Sequence, residues 1–401
     1  MNYFMTLYRY ELKKLMRRKL VWITLFICVL GIFVTVFSGL FGSYYVDGVL
    51  TDTHYHMYQV DNEYRKALSG REIDQKLLEE TVFAYGMIPP EADRYTLTDE
   101  YQNYARPYSD IFNLIRSWSD INISSIRRWE PSEEALYQAR YEQREATWQS
   151  FLLSDREKAF WQEKEAKLNL PFTYFYHEGY EILLNAFLTL GVQMLLFVSI
   201  CLPNVFSEEH TRRTDQLMLS SAKGKNTAYW AKLAAGTTLA VFGSILMTAL
   251  TFGLSLGFYG AEGFQTPLQI YADCSYPLTM GQACLIAYGI LIVASILMSV
   301  FVMFLSEALH SGIATLAIST GLIIAGNIIM IPDEYRFIAQ LWDCLPISFL
   351  ATWNIFSARP ITVFGHCAAS WQFVPIVYIL CSAVIAVAGR RVFERYQVTG
   401  R

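Results

Sequence analysis

The residues best placed to do chemistry lie between Phe206 and Leu233, where the stretch FSEEHTRRTDQLMLSSAKGKNTAYWAKL joins two long apolar runs. Carboxylates, guanidinium groups, lysines and hydroxyls are mixed there, which suits ion pairing and docking to a partner better than bond cleavage. Within it, Lys223-Gly224-Lys225-Asn226 lacks the leading glycine and the Ser/Thr of a phosphate-binding P-loop. The sequence therefore predicts that this chain does not bind ATP through a P-loop.

Other catalytic and metal-binding patterns are either absent from the sequence or lack the context that their chemistry needs. It contains no H-E-x-x-H zinc motif, and its one G-x-S-x-G pattern, Gly253-Leu254-Ser255-Leu256-Gly257, lies inside a long apolar run rather than at a strand-to-helix turn. His54 and His56 form an isolated pair, which we interpret as exposed side chains rather than zinc ligands. Glu307 and His310 lie in a tight turn between two apolar runs, where snorkelling or helix capping is expected. We therefore predict no catalytic residue, no metal ion and no cofactor bound by this chain.

Six apolar stretches are long enough to cross the roughly 30 Å of a bilayer core as helices. Hydrophobic residues make up 53% of the chain, although residues 45–181 read as ordinary polar protein. The spans are predicted at 20–44, 182–205, 371–389 and, within 233–331, at 233–259, 280–305 and 312–331. The sequence thus predicts an all-α polytopic membrane protein with six transmembrane helices.

The distribution of Lys and Arg predicts the orientation of these spans. Six Lys/Arg precede residue 20, five lie in 206–232 and four follow residue 389. The connection between the third and fourth spans has none, and residues 332–370 have two. Because Lys and Arg favour the cytoplasmic side, both termini are predicted to be cytoplasmic, with 390–401 as a cytoplasmic tail. The first apolar run is too long for a cleaved signal peptide, so we predict an uncleaved anchor in the plasma membrane.

Residues 45–181 are predicted to form a mainly helical extracytoplasmic domain. From Asp47 to Tyr180 the chain has 15 Lys/Arg and 24 Asp/Glu, a formal charge of −9, which argues against nucleic acid as a partner. Two S-x-x-E patterns, beginning at Ser69 and Ser154, predict helix starts with capping boxes. Residues 131–168 have an apolar stripe at helical spacing, interpreted mostly as core. The stripe comprises Leu136, Tyr137, Tyr141, Trp148, Phe151 and Leu152.

The seven cysteines add little to this prediction. None lies in the 45–181 segment, so that segment is not a disulfide scaffold. Cys274, Cys344 and Cys367 fall in the predicted outer connections, and the sequence leaves open one disulfide among them. An odd number of thiols favours none.

The predicted spans contain essentially no charged residues, which argues against an ion-driven carrier or proton pump. Their polar residues are neutral, and such side chains ordinarily hydrogen-bond between helices. We take Asn185, Gln193 and Asn327 as candidate pathway-lining residues. A protein with a transporter's bulk and no ion relay is expected to take its energy from elsewhere.

Composition leaves two interpretations of the 206–232 connection. Leu217 and Leu219, flanked by hydroxyls and followed by a basic turn, suit a short amphipathic helix that docks into a groove of a soluble partner. A solvated loop with positive-inside charge explains the lysines equally well.

The same connection resembles the signature of ABC-2 type permeases, the membrane subunits of bacterial ATP-binding cassette exporters. That signature has an acidic residue leaving the second span, a Thr before an L-x-L-S-S run, a small basic turn and a Lys opening the third span. The matching residues are Glu208 or Glu209, Thr214, Leu217, Leu219, Ser220, Ser221, Lys225 and Lys232. Where the family often has a Pro-like turn, this chain has Ala222-Lys223-Gly224.

The resemblance implies that 206–232 contains a coupling helix that contacts a separate ATPase, which would hold the ATP and Mg²⁺. The implied coupling residues are Glu208, Glu209, Arg212, Arg213, Thr214, Leu217, Leu219, Ser220 and Lys232. Residues 1–19 have apolar side chains at helical spacing among basic ones, which predicts an amphipathic helix in the inner interface. In the family an elbow helix occupies this position. Residues 332–370 are similar to the family's re-entrant segment, and their aromatic residues favour partial membrane insertion.

By resemblance, the protein is expected to be the permease subunit of an exporter of amphipathic, peptide-like or drug-like molecules. Its expected partners are ABC ATPase subunits, a second permease copy or related permease, and membrane lipid. The main alternative is a mechanotransmission, sensing or immunity subunit that couples an ATPase to its external domain without transport. An intramembrane enzyme is a weaker option, because no nucleophile, metal set or acid pair stands out.

Overall fold

The computed structural model describes residues 3–90, 94–212, 224–363 and 365–395, without the side chains of residues 212, 224, 225 and 333. The protein is 75% helical, which confirms the prediction of an all-α fold. The strands form three short antiparallel pairs: β1 (Ser43–Val46) with β2 (Val49–Thr53), β3 (Arg71–Glu72) with β4 (Thr173–Tyr174), and β5 (Ile361–Val363) with β6 (His366–Ala368).

The helices divide into an apolar set and a polar set. In chain order they are α1 (Tyr3–Met16), α2 (Lys19–Phe37), α3 (His54–Leu68), α4 (Gln75–Gly86), α5 (Ser109–Ser119), α6 (Ile123–Ile126), α7 (Glu133–Ser150), α8 (Asp155–Glu165), α9 (Glu178–Cys201), α10 (Asn204–Arg212), α11 (Gly224–Tyr259), α12 (Met280–Leu309), α13 (Gly312–Ile328), α14 (Arg336–Asp343), α15 (Pro346–Phe349), α16 (Thr352–Ile355) and α17 (Ser370–Arg395). Short 3₁₀ or π turns occupy Ser38–Leu40, Tyr95–Leu97, Tyr101–Ala105, Arg106–Tyr108, Leu268–Ile270 and Asp333–Tyr335.

Five helices within the described residues are long and apolar enough to cross a membrane: α2, α9, α11, α12 and α17. A chain in hydrocarbon must satisfy its backbone hydrogen bonds internally, which a helix does. The predicted fifth span is the shorter apolar helix α13, which has 17 residues. At 1.5 Å per residue it is about 26 Å long.

Several helix ends differ from the predicted span boundaries. The first helix ends at Phe37, because a 3₁₀ turn and Gly42, at φ 112°, redirect the chain into β1. The second ends at Cys201, and α10 begins after a break at Leu202 and Pro203. The third begins at Gly224, so Lys232 lies inside a helix rather than in a connection.

Helix α12 is the centre of the apolar bundle and packs against α9, α11 and α17. Small residues allow close approach, as where Gly243 of α11 meets Phe197 of α9. Buried polar side chains of the bundle bond to backbone carbonyls. Tyr288 donates to Leu183 O at 3.0 Å, and Tyr259 donates to Val36 O at 2.8 Å. Interhelical bonds of this kind stabilise bundles whose outer surface is apolar.

The polar helices α3 to α8 pack around aromatic and aliphatic side chains of their own. Trp118, Tyr137 and Phe172 form a group of ring contacts with centroids 5.5 to 6.0 Å apart. Each such contact contributes about 0.5–1.5 kcal/mol beyond burial. The capping box of Ser154 and Glu157 is confirmed at the start of α8. That of Ser69 is wrong, because Ser69 ends α3 before Gly70, at φ 88°, and α4 is capped further along the chain.

The predicted helical run 131–168 is two helices, α7 and α8, joined by a turn at Phe151–Leu153. Leu136, Tyr137 and Trp148 are buried as expected. Leu152 is 73% exposed, because the chain leaves the helix there in the left-handed conformation, at φ 51°. The stripe therefore ends before Leu152, which does not belong to the core.

Charged side chains tie the polar helices to the bundle. Arg140 of α7 is buried and donates to Cys274 O at 2.9 Å, and Arg144 Nη1 lies 2.6 Å from Asp273 Oδ2, both in the connection between α11 and α12. Arg336 of α14 pairs with Glu157 of α8. The segment 45–181 is thus fixed to two connections between apolar helices. All seven cysteines lie within the described residues, and all are free thiols.

Candidate functional site

The geometry of one end of the bundle is set by α10, a short helix that begins directly after Pro203 and rests on α12. The Ser306 hydroxyl of α12 accepts from Phe206 N at 3.3 Å and from Ser207 N at 3.1 Å, and it donates to Pro203 O. These amides belong to the first turn of α10, which has no intrahelical acceptors for them. Ser306 therefore fixes the start of α10 against α12.

Glu209 of α10 forms an ion pair with Lys232 of α11. Lys232 has no exposed surface, and its ammonium also donates to Val205 O at 3.2 Å and lies 5.4 Å from the centre of the Phe206 ring. A buried ammonium is costly unless it is paired and hydrogen-bonded. The pair therefore joins α10 to α11 through a charge that has no contact with solvent.

Glu208, the neighbouring residue, faces the amino-terminal helices. Its carboxylate pairs with the Arg18 guanidinium and lies 3.8 Å from Lys14 Nζ, which is also 3.8 Å from Glu209 Oε1. Arg18 donates in addition to Asn204 O at 3.1 Å. We call Lys14, Arg18, Glu208, Glu209 and Lys232 the charge cluster. It connects α1, the turn before α2, α10 and α11.

The amino-terminal helix α1 is confirmed as a helix over Tyr3–Met16, and it packs along α11. Leu15 is buried, and Tyr8 OH lies 3.0 Å from Thr238 Oγ1 of α11. The apolar face of α1 is therefore covered in part by the protein itself.

The predicted coupling residues divide into two groups. The structure brings Glu208 and Glu209 of α10 and Lys232 of α11 together in the charge cluster. Arg212 ends α10, and its side chain is not described. Arg213, Thr214, Leu217, Leu219 and Ser220 lie outside the described residues.

The predicted pathway residues have separate surroundings. Asn185 Oδ1 accepts from Tyr271 OH at 2.8 Å. Gln193 lines a small apolar cavity between α2, α9 and α11, and its buried Oε1 has no hydrogen-bond partner within the described part of the chain. Asn327 lines a cavity of about 280 Å³ together with residues of α14 to α16. The structure does not bring the three side chains into one site.

A group that the sequence prediction missed lies beside the charge cluster. His210 of α10, Glu307 of α12 and His310 have one nitrogen or oxygen each within 4.8 Å of one another. The expectation that Glu307 snorkels is wrong, because it has no exposed surface. The available signal was the spacing Glu307-x-x-His310, since residues three apart share a helix face. His210 is distant in sequence and gives no local signal.

On the opposite side of the bundle, a polar cavity of about 330 Å³ lies where α3, α5 and the start of α9 meet. Arg65 pairs there with Asp110, at 3.0 Å, and with Glu178. Burial lowers the pKa of His177, which lines the same cavity, and so favours the neutral imidazole. The arrangement fixes α3 to α9 through paired charges.

A second cavity, of about 520 Å³, lies between α7, the α11–α12 connection and α16. Its lining is mixed, with Arg144 and Asp273 beside Phe151, Trp353 and Phe356. A volume and lining of this kind suit a small amphipathic molecule.

No protein-family model matches the chain, and no curated protein sequence matches it.

Proposed function

We propose that this protein is the membrane-spanning permease subunit of an ATP-binding cassette exporter, with ATP hydrolysed by a separate ATPase subunit. The observation that carries the proposal is the charge cluster. It links α1, α10 and α11, and three of its members, Glu208, Glu209 and Lys232, belong to the 206–232 segment that resembles a coupling region. A push on that segment would therefore reach α1, α10 and α11 through ion pairs. Of these, α1 directly precedes the apolar helix α2, and α11 is itself an apolar helix.

The proposed topology has six spans, formed by α2, α9, α11, α12, α13 and α17. The length of α13 is at the short end of the range for a spanning helix. By the distribution of Lys and Arg, α1, α10 and the carboxyl terminus are cytoplasmic, and residues 45–181 are extracytoplasmic. The charge cluster then lies on the same side as ATP. Helix α11 has 36 residues, so its first turns, including Lys232, extend beyond a core of about 30 Å.

In the proposed mechanism, closure of the ATPase subunits pushes on residues 206–232. Glu209 transmits the movement to α11 through Lys232, and Glu208 transmits it to the turn before α2 through Arg18. Ser306 transmits it to α12, the central helix. Charged pairs suit this task, because a buried pair resists separation more strongly than an exposed one.

A second permease copy is proposed to complete the pathway at a twofold axis. Apolar side chains on α2, α13 and α17 are exposed, among them Phe26, Ile313 and Val384. These faces contact lipid or the second copy. Phe337 and Leu341 of α14 are exposed as well, which supports partial insertion of the 332–370 segment in the membrane.

The proposed cargo is an amphipathic or peptide-like molecule. The 520 Å³ cavity between α7 and α16 offers both a charged pair and aromatic surface on the proposed outer side. The net charge of −9 around it favours a cargo that carries positive charge.

One observation favours a second candidate, a mechanotransmission subunit that moves its external segment without transporting a substrate. Residues 45–181 are bonded to the bundle through Arg65, Arg140, Arg144 and Glu157. Movement of α9 or of the α11–α12 connection would therefore move this segment. ATP-dependent flux of a cationic amphipathic dye in vesicles that contain permease and ATPase supports transport. ATP turnover without flux, accompanied by movement of the segment, supports mechanotransmission.

The proposal is tested by co-purification from the protein's native membranes in a mild detergent. We expect an ATPase with a Walker motif to co-purify with the wild-type chain and to be lost from Leu217→Asp and Leu219→Asp. Leu152→Asp is the matched control, because Leu152 is an exposed leucine far from the charge cluster. The proposal would be contradicted if the ATPase co-purified with all three variants. It would also be contradicted if no ATPase co-purified with the wild type.

A further inference from the structure

The group of His210, Glu307 and His310 has the composition of a transition-metal site. Nε2 of His210 lies 3.1 Å from Oε2 of Glu307, and the two imidazole rings meet edge to face with centroids 4.2 Å apart. All three donor atoms lie within 4.8 Å of one another. In a tetrahedral zinc site with bonds of 2.0–2.1 Å, two donors are about 3.3 Å apart. The His210–Glu307 separation already meets this geometry, and His310 needs a side-chain movement of at most about 1.5 Å.

Glu307 provides an independent indication that points to a ligand. It has no exposed surface, and its Oε1 is buried without a hydrogen-bond partner among the residues that the structure describes, whereas Oε2 contacts His210. A buried carboxylate with one oxygen unsatisfied is costly. A divalent cation between the carboxylate and the imidazoles would neutralise its charge and satisfy that oxygen.

The backbone at His310 gives a further indication. This residue follows the last turn of α12 in the left-handed conformation, with φ 52° and ψ 18°. Glycine adopts that conformation at the least cost, and other residues lose about 1–2 kcal/mol there. A histidine at this position aims an imidazole back at the helix end, within reach of Glu307 three residues earlier.

The surrounding contacts hold the three residues in place. Ser306 fixes the first turn of α10 on α12. A Cβ on Gly312, the first residue of α13, would lie 1.9 Å from Asn204 Oδ1, so with any other residue at this position the Asn204 side chain would have to shift. His310 is exposed while Glu307 is buried, which leaves an entry path from solvent on one side.

We propose that His210, Glu307 and His310 bind one divalent transition-metal ion of the zinc class. Two imidazoles and one carboxylate select against Mg²⁺ and Ca²⁺, which prefer oxygen ligands alone. Three ligands from the described residues leave one position for water or another donor. The bound ion cross-links α10 to the α12–α13 turn, next to the charge cluster. This proposal departs from the prediction that the chain binds no metal, and it does not depend on the proposed transport function.

The test uses the full chain, purified in detergent with a tag that contains no histidine, stripped with a chelator and equilibrated with Zn²⁺ or Co²⁺. We expect one Zn²⁺ per chain by elemental analysis and a visible Co²⁺ absorption band typical of four-coordinate sites. His310→Asn tolerates the left-handed backbone and lacks the imidazole, so affinity is expected to fall at least about 10- to 100-fold. His310→Asp has nearly the same shape but supplies a carboxylate, so it is expected to bind more tightly than His310→Asn.

Two further variants keep the test decisive. His210→Gln removes a ligand from the other helix and is expected to show a similar loss. His366→Asn changes an exposed histidine in the β5–β6 pair and is expected to bind like the wild type. The proposal is overturned if the wild type retains no metal, or if His310→Asn and His210→Gln both bind as tightly as the wild type. Equal affinities of His310→Asn and His310→Asp would also contradict coordination by residue 310.

Discussion

Removal of either charge of the Glu209–Lys232 pair is predicted to destabilise the protein, and the two losses are predicted to be unequal. Lys232 has no exposed surface, and its remaining contacts are the Val205 carbonyl oxygen and the Phe206 ring. Glu209 keeps 12% of its side-chain surface exposed and has Lys14 Nζ 3.8 Å away. Glu209→Gln thus leaves the fully buried Lys232 ammonium without its carboxylate. Lys232→Met, by contrast, leaves the Glu209 carboxylate with Lys14 nearby and with partial exposure to water.

The magnitudes follow from this difference. Breaking a buried pair by removal of one partner costs about 3–5 kcal/mol. For Glu209→Gln we expect about 3 kcal/mol, the low end, because a carbonyl and an aromatic ring still contact the ammonium. For Lys232→Met we expect about 1 kcal/mol, since the apolar replacement fits a buried position and Glu209 retains Lys14. The double variant removes both charges and is expected within about 1 kcal/mol of the wild type.

The assay is thermal unfolding of the full chain in one detergent, for the wild type, both single variants and the double variant. The expected order of melting temperature places wild type and double variant highest, then Lys232→Met, then Glu209→Gln. Lys167→Met is the control, because it breaks an exposed pair with Glu163 and is expected to cost less than about 0.5 kcal/mol. Additive losses in the double variant would show that Glu209 and Lys232 do not interact, and equal single losses would refute the burial argument.

Three other predictions follow from single contacts. Gly312→Ala places a Cβ 1.9 Å from Asn204 Oδ1 and is expected to cost about 1–3 kcal/mol of stability. Gly321→Ala in the same helix meets open space and is expected to cost nothing. Thermal unfolding of the two variants beside the wild type checks this difference. Leu152→Gly relieves an exposed left-handed leucine and is expected to raise stability by about 1 kcal/mol, and a lower melting temperature would count against that reasoning. Burial alone would raise the pKa of Glu157, but hydrogen bonds from Ser154 and the Arg336 guanidinium hold it below its usual 4.5. Its stabilising contribution is therefore present above pH 4.5 and lost as pH falls through the lowered pKa, so the melting temperatures of wild type and Glu157→Gln should differ at pH 7 and begin to converge only as the pH falls below 4.5.

The apolar helices were predictable because hydrocarbon leaves a spanning chain few alternatives to a helix. The amphipathic pattern of α1 predicted its helix for a similar reason, since its apolar residues recur at helical spacing. Boundaries were less predictable. The prediction placed Lys232 in the connection before the third span, whereas the structure has it inside α11, where Glu209 neutralises its charge.

The candidate sites depend on contacts between residues far apart in sequence. Glu307 follows His210 by 97 positions, and their pairing requires α10 to fold back onto α12. Predictions from local patterns failed where a residue in the left-handed conformation interrupted a periodic pattern, as at Leu152 and after Ser69. The roles predicted for residues 213–220 and for Asn185, Gln193 and Asn327 stay predictions.

The most direct test of the coupling role is site-specific photocrosslinking in intact cells that produce the protein natively. A photoreactive amino acid is placed at position 217, in the segment that resembles a coupling helix, and at position 152 as the control. We predict a covalent adduct at position 217 with an ATPase that carries a Walker motif, and no such adduct at position 152. If the protein reaches the membrane and position 217 captures no ATPase, residues 206–232 are a solvated connection and the proposed coupling to ATP hydrolysis is wrong.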